Sequence, residues 1–254
     1  MKTKIGWADE GLNFLTWNCD KVSQGCKNCY AQARSKQYPN NSVGGHFIGA
    51  PGWRENAVEE LRKTPSGNVV FVNTHSDTFH EKNPLGWIRR MFSFFNARPD
   101  LIFLLLTKRP QIALEHANLL KWSANIWLGT SVENNDTLTR IPTLLRVPAQ
   151  HKFVSLEPLL EGLRVFDLNI MIPRVQWVIA GGESGEMRRP FQKQWAQDIQ
   201  AVCSEHHIPF FFKQGGSLWP GEDRLLGGRT WDEVPEDFTQ LRETNAPPVQ
   251  RQLF

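Results

Sequence analysis

The sequence predicts an α/β protein built as a partial (β/α) barrel of the TIM type. Short runs of consecutive apolar residues recur along the 254-residue chain. Such runs are typical of strands in a parallel sheet that is covered on both faces. Amphipathic helical patterns separate the runs, and repeated strand–helix alternation builds either a barrel or a doubly wound sheet. Residues 181–185 (GGESG) lack the G-x-G-x-x-G spacing of a dinucleotide-binding fold, so the barrel is preferred.

The first strand is predicted at residues 14–18 (FLTWN), directly before Cys19, and a helix is predicted after the cysteines at residues 30–38. The later apolar runs are rich in β-branched and aromatic residues, which favour strands. These predicted strands cover residues 69–73, 101–106, 126–128, 153–156, 175–180 and 208–212.

Three helices are predicted from apolar residues that recur at three- and four-residue steps. They cover residues 84–97, 111–122 and 192–206. Pro84 suits a first helical turn that follows Asn83 as the cap. Residues 39–65 carry glycine and proline and are predicted to have little regular structure. We expect residues 1–235 to form a single barrel domain and the polar residues 236–254 to form a C-terminal tail, either an arm or a disordered segment.

The composition excludes several classes of protein. Hydrophobic residues make up 40% of the chain and charged residues 22%, which excludes a disordered protein or a fibrous repeat. The formal net charge of +3 permits a nucleic-acid partner without requiring one. No run of about 18 apolar residues is present, and residues 1–13 lack the apolar stretch of a signal peptide. We therefore expect a cytoplasmic protein that does not enter a membrane and whose four cysteines are not a disulfide framework.

Charged and polar residues follow each predicted strand where it ends. Because the carboxyl ends of parallel strands open onto one face of a barrel, these residues would meet in one pocket. The alternative is that each merely marks the point where a strand reaches water. The full set, with glycines that let a backbone approach a ligand, favours a pocket. The candidates are Asp77, His80, Lys108, Arg109, Ser131, Glu133, Glu157, Gly181, Gly182, Glu183 and Lys213.

Three of the four cysteines lie within eleven residues. Cys19, Cys26 and Cys29 form a C-x6-C-x2-C pattern, which suits either zinc or an iron–sulfur cluster. Structural zinc normally takes four protein ligands. The possible fourth ligands lack convincing spacing; they are His46, His75, His80 and Cys203. A cluster held by three cysteines leaves one iron open to a small-molecule ligand, so the cluster is the preferred interpretation.

The motifs together resemble a known family. They are TWNCDKVSQGCKNCY, VFVNTHSDTFHE, LLTKRP, WLGTSVEN, FVSLEPLL, VIAGGESG, RPF and PFFFKQGG. They resemble an uncharacterised phage-associated family with a three-cysteine motif, which is similar to radical S-adenosylmethionine (SAM) enzymes. The resemblance runs from about residue 6 to residue 235. The usual radical SAM motif has three residues between its first two cysteines, whereas this chain has six.

The resemblance implies a cofactor and a reaction. Cys19, Cys26 and Cys29 would ligate a [4Fe-4S] cluster whose open iron chelates the amino and carboxylate groups of SAM. An electron from the reduced cluster, supplied by an electron donor, would cleave SAM to a 5′-deoxyadenosyl radical, which abstracts hydrogen from the substrate. The substrate is unknown. A nucleic acid or nucleobase is the first expectation, and a peptide is the second.

Residue type then suggests roles for the candidates within such a pocket. Glu183, backed by Gly181 and Gly182, would accept the SAM ammonium. The SAM carboxylate would pair with Lys108, Arg109 or Lys213. The ribose hydroxyls would bind Ser131, Glu133 or Glu157. Asp77 and His80 would face the substrate, with Glu157 as a further catalytic candidate.

Two other functions compete with this interpretation. One is a zinc-stabilised barrel that acts as a binding module. The other is a metal-assisted hydrolase, independent of SAM, that uses His75, Asp77, His80 and Glu157. The sequence leaves the oligomeric state open.

Overall fold

The computed structural model describes residues 5–245, in which seven parallel strands form one sheet. The strands pair in the order of the sequence, so each crossover returns to the neighbouring position. The sheet is curled and flanked by helices, which confirms the predicted partial β/α barrel at the level of its architecture. The strands are β1 (Glu10–Leu12), β2 (Val69–Val72), β3 (Ile102–Thr107), β4 (Ile126–Ser131), β5 (His151–Leu156), β6 (Trp177–Gly181) and β7 (Phe210–Gln214).

Helices lie in the connections between the strands, and a last helix follows β7. They are α1 (Tyr30–Gln37), α2 (Ala57–Arg62), α3 (Leu85–Asn96), α4 (Pro110–Glu115), α5 (Arg140–Leu145), α6 (Val165–Met171), α7 (Lys193–Glu205) and α8 (Glu236–Asn245). Short 3₁₀ turns lie at Gln24–Cys26, Pro39–Asn41, Val43–Gly45, Ala117–Leu119, Asn135–Thr139 and Ile172–Arg174. Among the residues that the structure describes, no helix is long and apolar enough to cross a membrane.

Alternation along the strands divides the core into two layers. One set of side chains packs outward under the helices, as Phe103 and Leu105 of β3 do. The other set fills the inside of the curled sheet, where Trp127, Phe153 and Trp177 are fully or almost fully buried. Gly129 leaves room for the Phe153 ring, since a Cβ there would lie 2.5 Å from it.

The prediction of an arm or a disordered tail after residue 235 is wrong for residues 236–245, the part of this segment that the structure describes. Residues Glu236–Asn245 form α8, and Phe238 is fully buried in the inner core. Its ring packs 5.1 Å from Trp127 and 5.3 Å from Trp177. Both tryptophans lie near the amino ends of their strands, so α8 packs against that end of the barrel. The rest of the expected tail, residues 246–254, lies outside the described residues.

The first strand begins earlier in the chain than predicted. Residues 14–18 do not form a strand of the sheet, and β1 is the short segment Glu10–Leu12. Phe14 and Leu15 are fully buried, but their backbone N–H groups donate to the Asn73 side-chain oxygen at 2.9 Å and 3.2 Å. A side chain therefore satisfies backbone groups that a neighbouring strand would otherwise bind.

Three helical expectations also need correction. Residues 39–65 contain α2, which buries Ala57 and Leu61 one turn apart. Pro84 precedes α3 as its cap instead of forming its first turn. The helix expected over residues 111–122 ends at Glu115 and is followed by a separate 3₁₀ turn.

The outer edge of β7 does not pair with β1. Instead, the segment 231–233 runs along it. Phe212 N–H donates to the Trp231 carbonyl at 2.8 Å, and Glu233 N–H donates to the Phe210 carbonyl at 3.2 Å. The barrel is therefore open between its first and last strands.

Candidate functional site

A cavity of about 240 Å³ lies at the carboxyl ends of the strands. Segments that follow β2 to β7 line it together with residues 19–29, which we call the cysteine loop. The predicted site residues in its lining are Cys19, Cys26, Cys29, Asp77, Lys108, Arg109, Ser131, Glu157, Gly182, Glu183 and Lys213. His80, Glu133 and Gly181 do not belong to the lining. The structure thus brings most of the predicted positions to one mouth of the barrel.

The cysteine loop presents three free thiols to this cavity. Cys19 is anchored by its backbone N–H, which donates to the Phe47 carbonyl at 2.9 Å. Cys26 ends a 3₁₀ turn and is buried, and Cys29 directly precedes α1. Within residues 5–245, no three His, Cys, Asp or Glu side chains are grouped to hold a metal ion. The thiols therefore share a cavity without surrounding a single ion position.

Arg109 connects the cysteine loop to the acidic side of the cavity. Its guanidinium lies 3.6 Å from Cys19 Sγ, 3.2 Å from Asp77 Oδ2 and 2.8 Å from Glu81 Oε1. Burial raises the pKa of Cys19 to about 12, and Asp77 adds to this rise while Arg109 opposes it. Cys19 is therefore a neutral thiol in the free protein. A bound metal would have to displace its proton, because metal ligation requires the thiolate.

Asp77 is occupied by protein donors. Its Oδ1 accepts from Phe79 N–H at 2.9 Å and from the Thr107 hydroxyl at 2.7 Å. Its Oδ2 accepts from Lys108 N–H at 3.1 Å and from Arg109. These contacts tie the loop after β2 to the end of β3, so Asp77 organises the wall of the cavity.

His80 supports the cysteine loop from behind the cavity wall. Its side chain is fully buried, with Nε2 3.3 Å from Asp20 Oδ2. Its Nδ1 accepts from Lys82 N–H at 3.2 Å. Burial lowers the pKa of His80, and the nearby Arg109 lowers it further. Asp20 in turn accepts from Gly49 N–H at 2.9 Å, so His80 and Asp20 join two loops.

Glu133 anchors the cysteine loop at a second point. Its fully buried carboxylate pairs with Lys108 and, at 3.0 Å, with Arg140, and it accepts from the Ser23 hydroxyl at 2.9 Å. Burial would raise the pKa of Glu133, but the two cations outweigh it and hold that pKa below its usual value. Gly25 permits this contact, because a Cβ there would lie 2.4 Å from Glu133 Cγ.

Glu183 anchors the loop at a third point. Arg189 binds this carboxylate through its backbone N–H at 2.8 Å and through its guanidinium. Asn28 of the cysteine loop donates to Glu183 Oε2 at 3.1 Å, and Arg189 donates to the Gln24 carbonyl at 3.1 Å. Burial would raise the pKa of Glu183, but the hydrogen bonds from Arg189 lower it further than burial raises it. Glu183 is therefore bound by the Arg189 guanidinium and by amide groups of the protein.

Glu157 and Lys213 face each other at the end of β5 and β7. Lys213 Nζ lies 3.1 Å from Glu157 Oε1, and the Ser155 hydroxyl donates to Glu157 Oε2 at 3.1 Å. Gly181 allows this close approach, since a Cβ there would lie 3.0 Å from Glu157 Oε1. This pair differs from Lys108 and Arg109, which bind carboxylates that are themselves held by several donors.

Glycine and serine complete the remaining wall. Gly182 N–H donates to the Gln214 carbonyl at 3.0 Å, and a Cβ at Gly182 would lie 2.9 Å from the Phe191 ring. Ser131, at the end of β4, is 4% exposed and lines the cavity. Gly182 thus serves close packing between β6 and β7.

Several residues that hold the site were not singled out by sequence reasoning. Ser23, Asn28 and Arg140 bind the carboxylates that fix the cysteine loop. Ser23 and Asn28 are single polar loop residues and Arg140 is the first residue of α5, so no periodic pattern in the sequence marks them. Arg189 lies six residues after Glu183. Its place beside Arg188 in a pair of basic residues was the one sequence feature that indicated a binding role.

Comparison with known families places most of this chain in one of them. The model of a family described as "Protein of unknown function (DUF5131)" matches residues 2–235. No curated protein matches the chain.

Proposed function

The chain belongs to the DUF5131 family, and we propose that it is an iron–sulfur enzyme of the radical SAM type. One observation carries this proposal: Cys19, Cys26 and Cys29 all line the cavity at the carboxyl ends of the parallel strands. Active sites of parallel barrels occur at this end. A three-cysteine loop placed there can hold a cofactor where a substrate can reach it.

Three cysteines suit a cluster better than one structural zinc ion, which normally takes four protein ligands. The cysteine ligands of a cluster bind different iron atoms, so they need not converge on one point. Zinc is held by ligands that surround a single ion. The described residues contain no group of three suitable side chains around one position. Asp77, a ligand in the hydrolase alternative, already accepts four hydrogen bonds from the protein.

The surroundings of the cysteine loop suit a bound cofactor. Arg109 lies beside Cys19 and Glu133 holds Ser23, while Glu183 holds Asn28. These contacts hold the loop at three points, Cys19, Ser23 and Asn28. A loop that is held in this way loses less conformational entropy when the cofactor binds than a mobile loop would lose.

Glu157 and Lys213 are the best candidates to bind the amino-acid end of SAM. Together they offer one carboxylate for an ammonium and one ammonium for a carboxylate, 3.1 Å apart and within the cavity. This assignment replaces the expectation for Glu183, because the Arg189 guanidinium, the Arg189 backbone N–H and the Asn28 amide all bind that carboxylate. Glu157 accepts only from the Lys213 ammonium and the Ser155 hydroxyl among the described contacts. Lys108 is similarly engaged by Glu133.

When bound, the cluster would supply the electron that cleaves SAM. The residues of the chain bind and orient the reactants, and the packed inner core keeps water from the amino end of the barrel. A nucleobase or nucleic acid is the proposed substrate class, and an external electron donor is the proposed partner. The phage association and the cytoplasmic location stay predictions.

Purification without oxygen tests the proposal. We expect a brown protein with about four irons per chain that releases 5′-deoxyadenosine from SAM when reduced. Cys19→Ser, Cys26→Ser and Cys29→Ser should each lose iron and this activity. Cys203→Ser is the matched control, because Cys203 is a fully buried residue of α7 and does not line the cavity. A colourless protein with one tightly bound zinc would overturn the proposal.

A second set of variants tests the SAM assignment. Glu157→Gln and Lys213→Met should weaken SAM binding at least tenfold and leave the iron content unchanged. Lys121→Met is the control, since Lys121 is exposed and absent from the cavity lining. Unchanged SAM affinity in both variants would remove this role from the pair.

A further inference from the structure

The excess positive charge of the chain lies in one segment. Residues 21–54 hold five Lys and Arg residues and no Asp or Glu, whereas the whole chain has a net charge of only +3. Four of these basic side chains are exposed: Lys21, Lys27, Arg34 and Lys36. None of the four forms an ion pair with another residue that the structure describes. Exposed cations without counter-charges are typical of a surface that binds a polyanion.

One exposed face of α1 adds two tyrosines to these charges. Tyr30, Arg34 and Tyr38 follow one another at four-residue steps, so their side chains lie on the same face of the helix. Tyr38 N–H donates to the Arg34 carbonyl at 3.1 Å, so the helical turn reaches Tyr38. The helix packs on the protein through Ala31 and Ser35, which are buried. Both tyrosines, the only two in the chain, are 50% exposed. We call Tyr30, Arg34 and Tyr38 the tyrosine face.

The tyrosine face leads to the rim of the cavity. Tyr30 lines the cavity, and its ring lies 5.7 Å from the ring of His75, which also lines it. The Tyr38 ring meets Trp17 edge-on at 6.0 Å, and Trp17 stacks on His75 with centroids 4.0 Å apart. Burial, with a smaller contribution from the charge of Arg34, lowers the pKa of His75 to about 4. The positive charge of Arg34 therefore acts at the cavity rim, beside exposed rings.

Exposed rings between cations suit a single strand of nucleic acid. Its phosphates pair with Lys and Arg side chains, and its unpaired bases stack on aromatic rings. A duplex hides the faces of its bases, so it would gain from the charges alone. From Tyr30 to Tyr38 the helix rises by about 12 Å. That length matches about three or four nucleotides at a spacing of roughly 3.4 Å along a strand.

We propose that the tyrosine face, together with Lys21 and Lys27 of the cysteine loop, binds a single strand of nucleic acid and leads one nucleotide to the cavity. The phosphates pair with Arg34 and the two lysines, and the bases stack on Tyr30 and Tyr38. This assignment rests on the proposed function in that the same cavity receives the nucleotide. The binding itself needs neither iron nor SAM.

Fluorescence anisotropy of a labelled single-stranded oligodeoxyuridylate, titrated with the full-length protein, tests this surface. We expect the single strand to bind about fivefold or more tightly than a duplex of the same length. Tyr38→Leu removes a stacking ring that does not line the cavity, and it should weaken binding of the single strand by about fivefold or more. Arg34→Gln should also weaken binding, and it should reduce the slope of log affinity against log salt concentration by about 0.7.

Two variants provide matched controls elsewhere on the surface. Arg89→Gln removes an exposed cation of α3, and Phe166→Leu removes an exposed ring of α6. Neither residue lines the cavity, and both variants should bind the single strand as the wild type does. An oligouridylate of the same length distinguishes the two kinds of strand. Tighter binding of the oligouridylate identifies RNA, tighter binding of the oligodeoxyuridylate identifies DNA, and equal binding shows that the surface accepts both.

The outcomes separate this proposal from the proposed function. Equal binding of single strand and duplex, absence of binding, or unchanged affinity in Tyr38→Leu would overturn the proposed surface. Binding to phosphatidylserine vesicles without binding to either oligonucleotide would overturn it as well. A protein that binds the single strand but holds no iron and does not cleave SAM would refute the proposed function and leave the surface standing. A protein that holds iron and cleaves SAM but binds no oligonucleotide would do the reverse.

Discussion

Gly25→Ala should destabilise the protein by forcing a methyl group into the buried Glu133 side chain. The new Cβ would lie 2.4 Å from Glu133 Cγ and 2.7 Å from both Cδ and Oε1. Carbon atoms in good contact are about 3.5–4.0 Å apart. The backbone of Gly25 lies outside the left-handed region, so alanine adds no backbone strain and the clash alone decides the effect.

The size of the effect depends on whether Glu133 can move. Its carboxylate is held by Lys108, Arg140 and Ser23, and moving it would separate a buried ion pair. We therefore expect Gly25→Ala to cost about 2–3 kcal/mol, at the upper end for overpacking. Glu133→Ala should itself cost about 3–5 kcal/mol, because it leaves buried cations unpaired. It also removes the clashing atoms, so Gly25→Ala should add little in that background.

Urea unfolding followed by tryptophan fluorescence measures these free energies of unfolding. The two single variants and the double variant form a cycle with an expected coupling of about 2 kcal/mol. Gly86→Ala is the control, because a Cβ there meets no atom within 4 Å inside α3, and it should stabilise by about 0.5–1 kcal/mol. The reasoning is refuted if Gly25→Ala costs less than about 0.5 kcal/mol, or costs the same in both backgrounds.

Three further predictions concern pH and packing. Hydrogen bonds from Arg98 lower the pKa of Asp100 to about 2. The ionised Asp100 carboxylate therefore stabilises the folded protein by about 2 kcal/mol above a pH of about 4, and this stabilisation is lost as the pH falls toward about 2. In Asp100→Asn, the free energy of unfolding should depend less on pH over this range. Because burial lowers the pKa of His75 to about 4, this side chain takes up its proton at a higher pH in the unfolded chain than in the folded protein. Stability should fall by up to roughly 3 kcal/mol between about pH 6.5 and 4 in the wild type, but not in His75→Phe. Phe238→Ala should cost about 3–5 kcal/mol by chemical denaturation, whereas the exposed Phe166→Ala should cost nearly nothing; equal costs would contradict the packing of α8.

The six longer strands could be predicted because each is a continuous apolar run that both layers of the core require. β1 could not, since Glu10–Leu12 is short and mixed, while Phe14 and Leu15 are more apolar yet bind the Asn73 side chain. Helix α8 could not be predicted because its segment is mostly polar and Phe238 is its fully buried apolar residue.

The positions of the site residues were more predictable than their roles. Parallel strands place their carboxyl ends together, so residue order alone locates Lys108, Glu157 and Lys213 at one mouth. Which charge pairs with which depends on loop geometry. Glu183 and Glu133 both bind protein cations and hold the cysteine loop. No sequence pattern distinguishes them from Glu157, which does not contact that loop in the hydrogen bonds described above.

The open side of the barrel leaves its first and last strands without a shared strand pair. A closed barrel has a circumference fixed by an unbroken ring of strand pairs. Here the segment 231–233 satisfies the free edge of β7, and β1 pairs only with β2. The gap between the first and last strands can therefore spread without rupturing any strand pair. Residues outside the sheet, among them Trp7 against Trp177 and the segment 231–233 against β7, therefore cover the side that strand pairing leaves open.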